Sequence, residues 1–202
     1  MKTKIAVFVS GGGTNLQALI DFQQAGKLCD GELALVVSSS HTAYALERAA
    51  KAGIASVTVA RKECADQAEF ESRIVSALEE NGIEMIVLAG FMSILSENFT
   101  KRYENRIINV HPSLIPSFCG KGMYGLRVHE TALAYGVKVT GATVHFVNEI
   151  PDGGKIIMQR AVEILPDDTA ETLQKRVMEQ AEWDILPRSA QLVAKELREA
   201  KN

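Results

Sequence analysis

The sequence predicts a single-domain α/β protein in which a doubly wound, mostly parallel sheet is followed by antiparallel C-terminal strands. Up to residue 110, short β-rich runs alternate with segments whose apolar residues recur at helical spacing. That order favours parallel strands joined by helices. The run at residues 85–88 is apolar at every position, as expected of a strand with both faces covered.

The first half of the chain yields five strands and four helices. The predicted strands span residues 5–9, 33–37, 56–59, 85–88 and 107–110. Helical spacing of apolar residues predicts helices at residues 16–20, 43–52, 70–78 and 96–103. Gly53 and the Asn81-Gly82 pair follow the second and third helices, where glycine commonly ends a helix. Because parallel strands are joined by right-handed crossovers, few alternative arrangements remain.

The pattern changes after Pro112. Residues 113–125 form a loop with prolines and glycines, and residues 127–135 are expected to be helical. Two further strands, at residues 140–147 and 155–164, enclose the segment NEIPDGG. A final helix is predicted to begin near Thr169 and to be interrupted at Pro187, which lacks a backbone donor. Because no linker or repeat divides the chain, we expect one domain over residues 1–202.

Composition narrows the class of protein. The net charge of −3 weighs against a dedicated nucleic-acid binder. No apolar run approaches the roughly 18 residues of a membrane helix, and three widely spaced cysteines indicate free thiols in a reducing compartment. We therefore expect a cytoplasmic protein that binds neither nucleic acid nor membrane. No spacing of His, Cys and Asp predicts a metal site.

The segment VSGGGTN follows the first strand and begins the first helix. A helix amino terminus offers free N–H groups, and glycines let the backbone approach an anion closely, which favours a phosphate site. The candidate residues are Gly11, Gly12, Gly13, Thr14 and Asn15. A tight strand-to-helix turn is the plainer alternative. A dinucleotide fingerprint is disfavoured because Leu16 occupies its third glycine position, and a P-loop because no GK[ST] follows.

A second polar group stands at the end of the fifth strand. Asn109 and His111 are two residues apart and should share a face, at the edge where open α/β sheets bind ligands. An amide can stabilise an oxyanion, and an imidazole can move a proton near neutral pH. Asp152, in the segment PDGG, is the candidate to orient the histidine. A turn asparagine beside a structural histidine stays open on spacing alone.

The remaining histidines are interpreted as supporting residues. His145 lies in the predicted strand ATVHFV and is expected to support the site or the core. His41 and His129 stand near the starts of helices, where we expect surface or capping groups.

Three longer motifs resemble a known family. INVHPSLIPSFCG, VLAGFMSILS and TVHFVNEIPDGGKIIMQ are similar to segments of the formyltransferases that use 10-formyltetrahydrofolate, and the similarity runs from Lys4 to about Leu192. The resemblance implies a Rossmann-like fold, 10-formyltetrahydrofolate as co-substrate and no metal. The most similar branch formylates the amine of 5′-phosphoribosylglycinamide (glycinamide ribonucleotide) in purine (IMP) biosynthesis. It implies a phosphate-binding half at about 1–105 and a folate-binding, catalytic half at about 106–202.

The resemblance also implies roles for individual residues. Asn109, His111 and Asp152 match the catalytic set of the family. Residues 11–15 match the loop that holds the ribose 5-phosphate, and Glu182 matches a glutamate that contacts the ribonucleotide. The positions that match the folate pocket are Gly90, Phe91, Met92, Ser93, Ile94, Leu95, Asn109, Val144, Asn148, Glu149, Ile150 and Pro151.

Some positions depart from the family's pattern, and other functions remain alternatives. Ser93 stands where the family often has arginine, and Gln67 lies where it often has a basic residue, so the resemblance does not extend to the family's contacts with the glutamate tail of folate. Methionyl-tRNA formyltransferases carry an extra C-terminal domain and formyltetrahydrofolate deformylases an N-terminal regulatory domain, and neither is expected here. A non-catalytic nucleotide-binding module is the alternative from another class. A monomer and a homodimer are both compatible with the sequence.

Overall fold

Seven strands form one sheet in the computed structural model, which describes residues 1–201. In chain order they are β1 (Thr3–Val9), β2 (Gly31–Ser38), β3 (Ala55–Thr58), β4 (Met85–Leu88), β5 (Ile107–His111), β6 (Val139–Phe146) and β7 (Ile156–Glu163). Their spatial order is β3-β2-β1-β4-β5-β6-β7. The pairs among β1 to β5 are parallel, whereas β6 pairs antiparallel with both β5 and β7. The predicted fold class is therefore confirmed.

Helices cover both faces of this sheet. Within the described residues they are α1 (Thr14–Gln24), α2 (Ala45–Lys51), α3 (Gln67–Glu80), α4 (Glu97–Arg102), α5 (Leu126–Tyr135), α6 (Ala170–Val177) and α7 (Trp183–Glu199). The alternation of side chains along β1 divides the core in two. Ile5, Val7 and Val9 pack in the cluster formed with α1, α2, α6 and α7, while Ala6 and Phe8 pack with α3 and α4.

Helix α2 is shorter than the sequence predicts, because it begins at Ala45 rather than at residue 43. The N–H of Ala45 donates to the carbonyl of Gly11 (3.1 Å). The start of α2 is therefore fixed by the loop that follows β1, a long-range contact that helical spacing does not reveal.

The predicted interruption at Pro187 is wrong, because α7 continues through this proline to Glu199. The irregularity lies earlier, in a π-helical turn at Met178–Glu182 that joins α6 to α7. A proline ring opposes the carbonyl four residues before it, here that of Trp183, which directly follows the widened turn. We attribute the continuity of α7 to this neighbouring irregularity.

Three further properties bear on the class of protein. Across residues 1–201, no helix combines the length and the apolar character needed to cross a membrane. The same residues contain no group of three or more His, Cys, Asp or Glu side chains arranged to hold a metal ion. Cys29, Cys64 and Cys119 are unpaired.

Candidate active site

The carboxyl ends of β1, β4 and β5 border a cavity of about 570 Å³. Asn15 follows β1, Gly90 follows β4 and Asn109 lies near the end of β5, and all three line the cavity. The strand order reverses between β1 and β4, which is where open α/β sheets bind ligands. The fold thus gathers the two polar motifs of the sequence at one edge.

The glycine loop is held from behind by α2. Gly13 precedes α1 with a φ of +71°, and a Cβ there would lie 2.7 Å from the Cβ of Ala45, so only glycine fits. Arg48 Nε donates to the carbonyl of Gly12 (2.8 Å). In the described part of the chain, no side chain caps α1 and no acidic residue lies in its first turn. The first N–H groups of α1 can therefore receive an anion.

Of the predicted phosphate loop, only Asn15 lines the cavity itself. Thr14 lines a separate groove of about 470 Å³ along the outer side of α1, and residues 11–13 line neither opening. The glycine loop therefore lies beside the cavity rather than forming its wall.

Asn15 and Glu182 meet at the wall of the cavity. Asn15 Nδ2 donates to Glu182 Oε2 (2.7 Å), which joins α1 to the π-helical turn. Burial raises the pKa of Glu182, and the hydrogen bond from Asn15 offsets part of that rise. Asn15 Oδ1 is buried without a partner among residues 1–201, which leaves one acceptor for a ligand.

Asn109 and His111 lie on the same face of β5 and both line the cavity. His111 is 4% exposed, and its Nε2 donates to the carbonyl of Phe118 (2.9 Å). Its Nδ1 lies 3.5 Å from Oδ2 of Asp152. Both ring nitrogens thus face oxygen acceptors, which fix the orientation of the ring.

Asp152 occupies a strained turn between β6 and β7. Its φ of +57° lies in the left-handed region, which few residues other than glycine adopt and which recurs at functional sites. The N–H of Gly120 donates to Oδ2 of Asp152 (2.8 Å). Burial alone would raise the pKa of Asp152, but the neighbouring His111 and the hydrogen bond from the Gly120 amide hold it below its ordinary value. The carboxylate therefore stays ionised beside His111.

His145 lies close to two of the predicted catalytic residues, Asn109 and Asp152. It pairs with Asn109 across β5 and β6, and its Nε2 lies 3.2 Å from Asn109 Nδ2 and 3.5 Å from Asp152 Oδ1. Its Nδ1 contacts the carbonyl of Phe146 (2.7 Å), which selects the tautomer with the proton on Nδ1. In that tautomer Nε2 accepts from Asn109 and fixes the orientation of the amide.

The predicted folate residues border two neighbouring openings. Gly90, Phe91, Met92, Ser93, Ile94 and Pro151 line the large cavity, and Leu95, Asn148, Glu149 and Ile150 line a cleft of about 180 Å³ beside it. The exception is Val144, whose side chain is fully buried in the core. Ile94 is 84% exposed and Met92 58% exposed. Apolar side chains left open beside a cleft fit a flat, largely apolar ligand that would cover them.

The segment that carries Ser93 and Ile94 is held by Gln67. Gln67 Nε2 donates to the carbonyl of Ile94 (3.0 Å) and to Oε1 of Glu71 (2.7 Å). The family often has a basic residue near this position, whereas here the side chain of Gln67 holds the loop through its hydrogen bonds. Among the described residues, no lysine or arginine lines the smaller cleft.

Sequence reasoning missed several groups at this site. The backbone of the loop at residues 118–120 holds both His111 and Asp152, and backbone contacts of that kind have no sequence signature. The expectation of a surface or capping role for His129 is wrong, because its ring is fully buried. Its spacing from Ala132, three residues later and also buried, was the signal that could have placed it on the inner face of α5.

The environment of His129 is unusual. Neither ring nitrogen has a hydrogen-bond partner in the described structure, although the residue lines the large cavity. Burial lowers the pKa of His129 to about 4, and the charge of His111 adds to the effect. The ring is therefore neutral at neutral pH.

Comparison with known proteins places the chain in a family. The formyl transferase family matches residues 3–189. Phosphoribosylglycinamide formyltransferase of Haemophilus influenzae is 41% identical over 184 residues, which cover 91% of this chain and 84% of that protein. The trifunctional purine biosynthetic protein adenosine-3 of Gallus gallus is 46% identical over 193 residues. That match covers 96% of this chain but only 18% of the longer relative.

Solved structures agree with the sequence matches. Phosphoribosylglycinamide formyltransferase of Brucella melitensis superposes with a TM-score of 0.88 and 41% identity, over 96% of both chains. Glycinamide ribonucleotide transformylase 1 of Symbiobacterium toebii gives a TM-score of 0.90 at 37% identity, over 96% of this chain and 89% of that one. The chain therefore belongs to the formyl transferase family.

Proposed function

We propose that the protein transfers the formyl group of 10-formyltetrahydrofolate to the amine of 5′-phosphoribosylglycinamide, a step of purine (IMP) biosynthesis. The observation that carries the proposal is the convergence of Asn109, His111 and Asp152 at one cavity beside the glycine loop. The identity of 41% to the Haemophilus influenzae enzyme, most of whose length is matched, supports the same acceptor.

Asn109 is proposed to stabilise the oxyanion that forms when the amine attacks the formyl carbon. Its amide has two N–H bonds, of which one donates to His145 and the other remains for the substrate oxygen. A donor fixed in this way is worth about 2.7–4 kcal/mol, or about 10²–10³ in rate. His145 is proposed as a positioning residue, because it acts through the amide of Asn109 that it holds.

His111 and Asp152 are proposed to manage the proton. When the bond between the formyl carbon and N10 of the folate breaks, N10 gains a proton and the attacking amine loses one. His111 can supply and regain this proton if it exchanges the carbonyl of Phe118 for the substrate or a bridging water. Asp152, ionised and 3.5 Å away, orients the ring and balances its positive charge.

The ribonucleotide is proposed to bind through residues 11–15 and Glu182. The free N–H groups at the start of α1 suit its phosphate. Glu182, held by Asn15 at the wall of the cavity, suits a hydroxyl or amine of the ligand. The proposal keeps one domain over residues 1–202, with phosphate binding assigned to about 1–105 and folate binding and catalysis to about 106–202.

The folate is proposed to occupy the cleft beside Asn109. Its apolar wall and the backbone of the loop at residues 148–152 suit a flat heterocycle with polar edges. Neither Ser93 nor Gln67 supplies a positive charge for the glutamate tail. We therefore assign the tail no ion pair at these two positions.

Two other activities use similar chemistry and differ from the proposed one in the acceptor of the formyl group. A methionyl-tRNA formyltransferase would formylate an aminoacyl-tRNA, and a formyltetrahydrofolate deformylase would pass the formyl group to water. A binding module would hold ligands without turnover. The net charge of −3 suits tRNA poorly.

The proposal is tested by an absorbance assay of folate deformylation. Purified protein is mixed with a 10-formyl folate, alone, with glycinamide ribonucleotide or with methionyl-tRNA. We expect turnover only with the ribonucleotide. Turnover without an acceptor would indicate a hydrolase. Turnover only with methionyl-tRNA would show that the tRNA, and not the ribonucleotide, is the formyl acceptor.

The proposal includes two small-molecule substrates and a cytoplasmic location, as a monomer or a homodimer. The unpaired state of Cys29, Cys64 and Cys119 supports a reducing compartment. No role for nucleic acid or membrane is included.

A further inference from the structure

The large cavity has little positive charge for two anionic substrates. Lys121 is the only lysine or arginine that lines it within residues 1–201, whereas Asp152 and Glu182 contribute carboxyl groups. Arg48 is engaged behind the glycine loop, where it donates to Gly12 and Gln17. Among the described residues, a phosphate that enters this cavity therefore meets one lysine ammonium and no arginine.

Lys121 is free to meet a ligand. Its residue is exposed, and it takes part in no ion pair among the described residues. Gly120 and Gly122 flank it with φ values of +87° and +84°. Because other residues seldom adopt this conformation, the two glycines fix the path by which the loop brings Lys121 to the cavity.

The loop leads into a helix terminus that is open to an anion. Helix α5 follows Gly125 directly, and within the described chain it has no side-chain cap and no acidic residue in its first turn. Gly125 itself lines the cavity. The first N–H groups of α5 thus add positive partial charge beside Lys121.

An independent observation points to an oxygen ligand in the same place. His129, one turn into α5, is fully buried, lines the cavity and lacks a partner for either ring nitrogen in the described structure. The neutral ring must carry one N–H donor, and buried donors rarely go without an acceptor. An acceptor oxygen that enters this corner would supply the missing hydrogen bond.

The surroundings of this corner connect it with the ribonucleotide side of the site. Helix α5 packs on α6, which continues into the π-helical turn. That turn meets the glycine loop through Glu182 and Asn15, and through Met178, whose Sδ lies 3.9 Å from Oγ1 of Thr14. The phosphate is therefore a better match for Lys121 than the folate carboxylates are.

We propose that Lys121 and the amino terminus of α5 bind the phosphate of the ribonucleotide together with the glycine loop, so that Lys121 determines the preference for a phosphorylated acceptor. The inference rests on the proposed function, which it deepens by assigning a second element to the phosphate. Backbone N–H groups from two helices and one ammonium then surround a dianion that two nearby carboxyl groups would repel.

The test compares Lys121→Ala and Lys121→Arg with Lys138→Ala, which removes the same charge from an exposed lysine that does not line the cavity. Steady-state kinetics give KM for each substrate, and calorimetry gives Kd for ribose 5-phosphate. We expect Lys121→Ala to raise KM for the ribonucleotide and Kd for ribose 5-phosphate about tenfold, the size of one charge-assisted contact. The kcat value and KM for the folate should not change, and Lys121→Arg should restore most of the affinity.

Added salt should reduce the difference between the wild type and Lys121→Ala in KM for the ribonucleotide and in Kd for ribose 5-phosphate, because salt screens the contribution of an exposed charge. Unchanged phosphate affinity in Lys121→Ala would overturn the proposal, and so would a rise in KM confined to the folate. The calorimetric arm does not depend on turnover. If the wild type binds ribose 5-phosphate but formylates nothing, the proposed function fails while the role of Lys121 is still decided.

Discussion

At the scale of single residues, one histidine links the two groups on which the proposed chemistry depends. His145 fixes the amide of Asn109 and also borders Asp152, which in turn borders His111. A change at any of these positions should disturb the others, because buried polar groups that share partners do not act independently.

The first prediction concerns Asp152→Asn. Asparagine keeps the shape of the side chain and tolerates the left-handed backbone at this position, but it removes the charge that faces His111. We expect kcat to fall about 10²–10³-fold, the loss typical of a single electrostatic contact in a catalytic site. The readout is the initial rate of folate deformylation with saturating ribonucleotide.

The matched control for this change is Asp167→Asn, which alters an exposed aspartate outside the cavity. It should retain the wild-type rate. Turnover at the wild-type level in a well-folded Asp152→Asn protein would remove Asp152 from the mechanism.

The second prediction follows from the buried ring of His129. Its pKa is lowered from an ordinary value of 6.5 to about 4, so between these values the unfolded chain binds a proton that the folded chain does not. Stability must then fall as pH falls. From pH 7 to pH 5 this group should lower the free energy of unfolding by about 2 kcal/mol.

Urea denaturation of the wild type and of His129→Gln at pH 7 and pH 5 measures the contribution of His129 to the free energy of unfolding. The variant cannot titrate at position 129, so its loss of stability over the interval should be smaller by that amount. Equal losses in both proteins would show that His129 is not buried in its neutral form.

At the scale of elements, the turn between β1 and α1 is shaped by contacts with α2. Gly13 has a positive φ and no room for a Cβ beside Ala45, whereas a Cβ on Gly12 would meet nothing within 4 Å. The third prediction is that Gly13→Ala lowers the free energy of unfolding by about 1–3 kcal/mol through strain and overlap.

Gly12→Ala is the matched control, since it adds the same methyl group one residue earlier in open space. Its unfolding curve in urea should nearly overlay that of the wild type. Similar midpoints for the two variants would mean that α2 does not constrain the loop.

The π-helical turn is the other element that shapes the site. A widened turn in an otherwise continuous helix changes the direction in which the following side chains point. Here it contains Met178 and Glu182, both of which line the cavity. The π-helical turn therefore contributes side chains to the wall of the cavity, whereas Pro187, which suggested a break in the helix, lies after the turn.

At the scale of the whole molecule, the reversal of strand order between β1 and β4 brings distant parts of the chain to one edge. Asn15 at the start of α1, the segment after β4 and the end of β5 all border the cavity there, and the glycine loop lies beside it. The loop between β6 and β7 leaves the sheet beside the start of β5, where Phe146 pairs with Ile108, and it reaches back far enough to place Asp152 3.5 Å from Nδ1 of His111 at the other end of that strand.

The sequence was informative where local pattern controls structure. Continuous apolar runs marked the strands of the sheet, and the spacing of Asn109 and His111 placed both on one face of β5. Contacts between segments that are distant in the sequence could not be predicted from local pattern. The start of α2 depends on Gly11, the burial of His129 on the packing of α5, and the clamp on His111 and Asp152 on backbone groups of a loop.

The measurement that tests the central claim most directly is the identity of the formylated product. Protein is incubated with a 10-formyl folate labelled with carbon-13 in the formyl group and with glycinamide ribonucleotide, and the mixture is analysed by mass spectrometry. The account predicts that the labelled carbon appears on the ribonucleotide, which gains the mass of one labelled CO. Recovery of the label only as free formate, with the ribonucleotide unchanged, would contradict it.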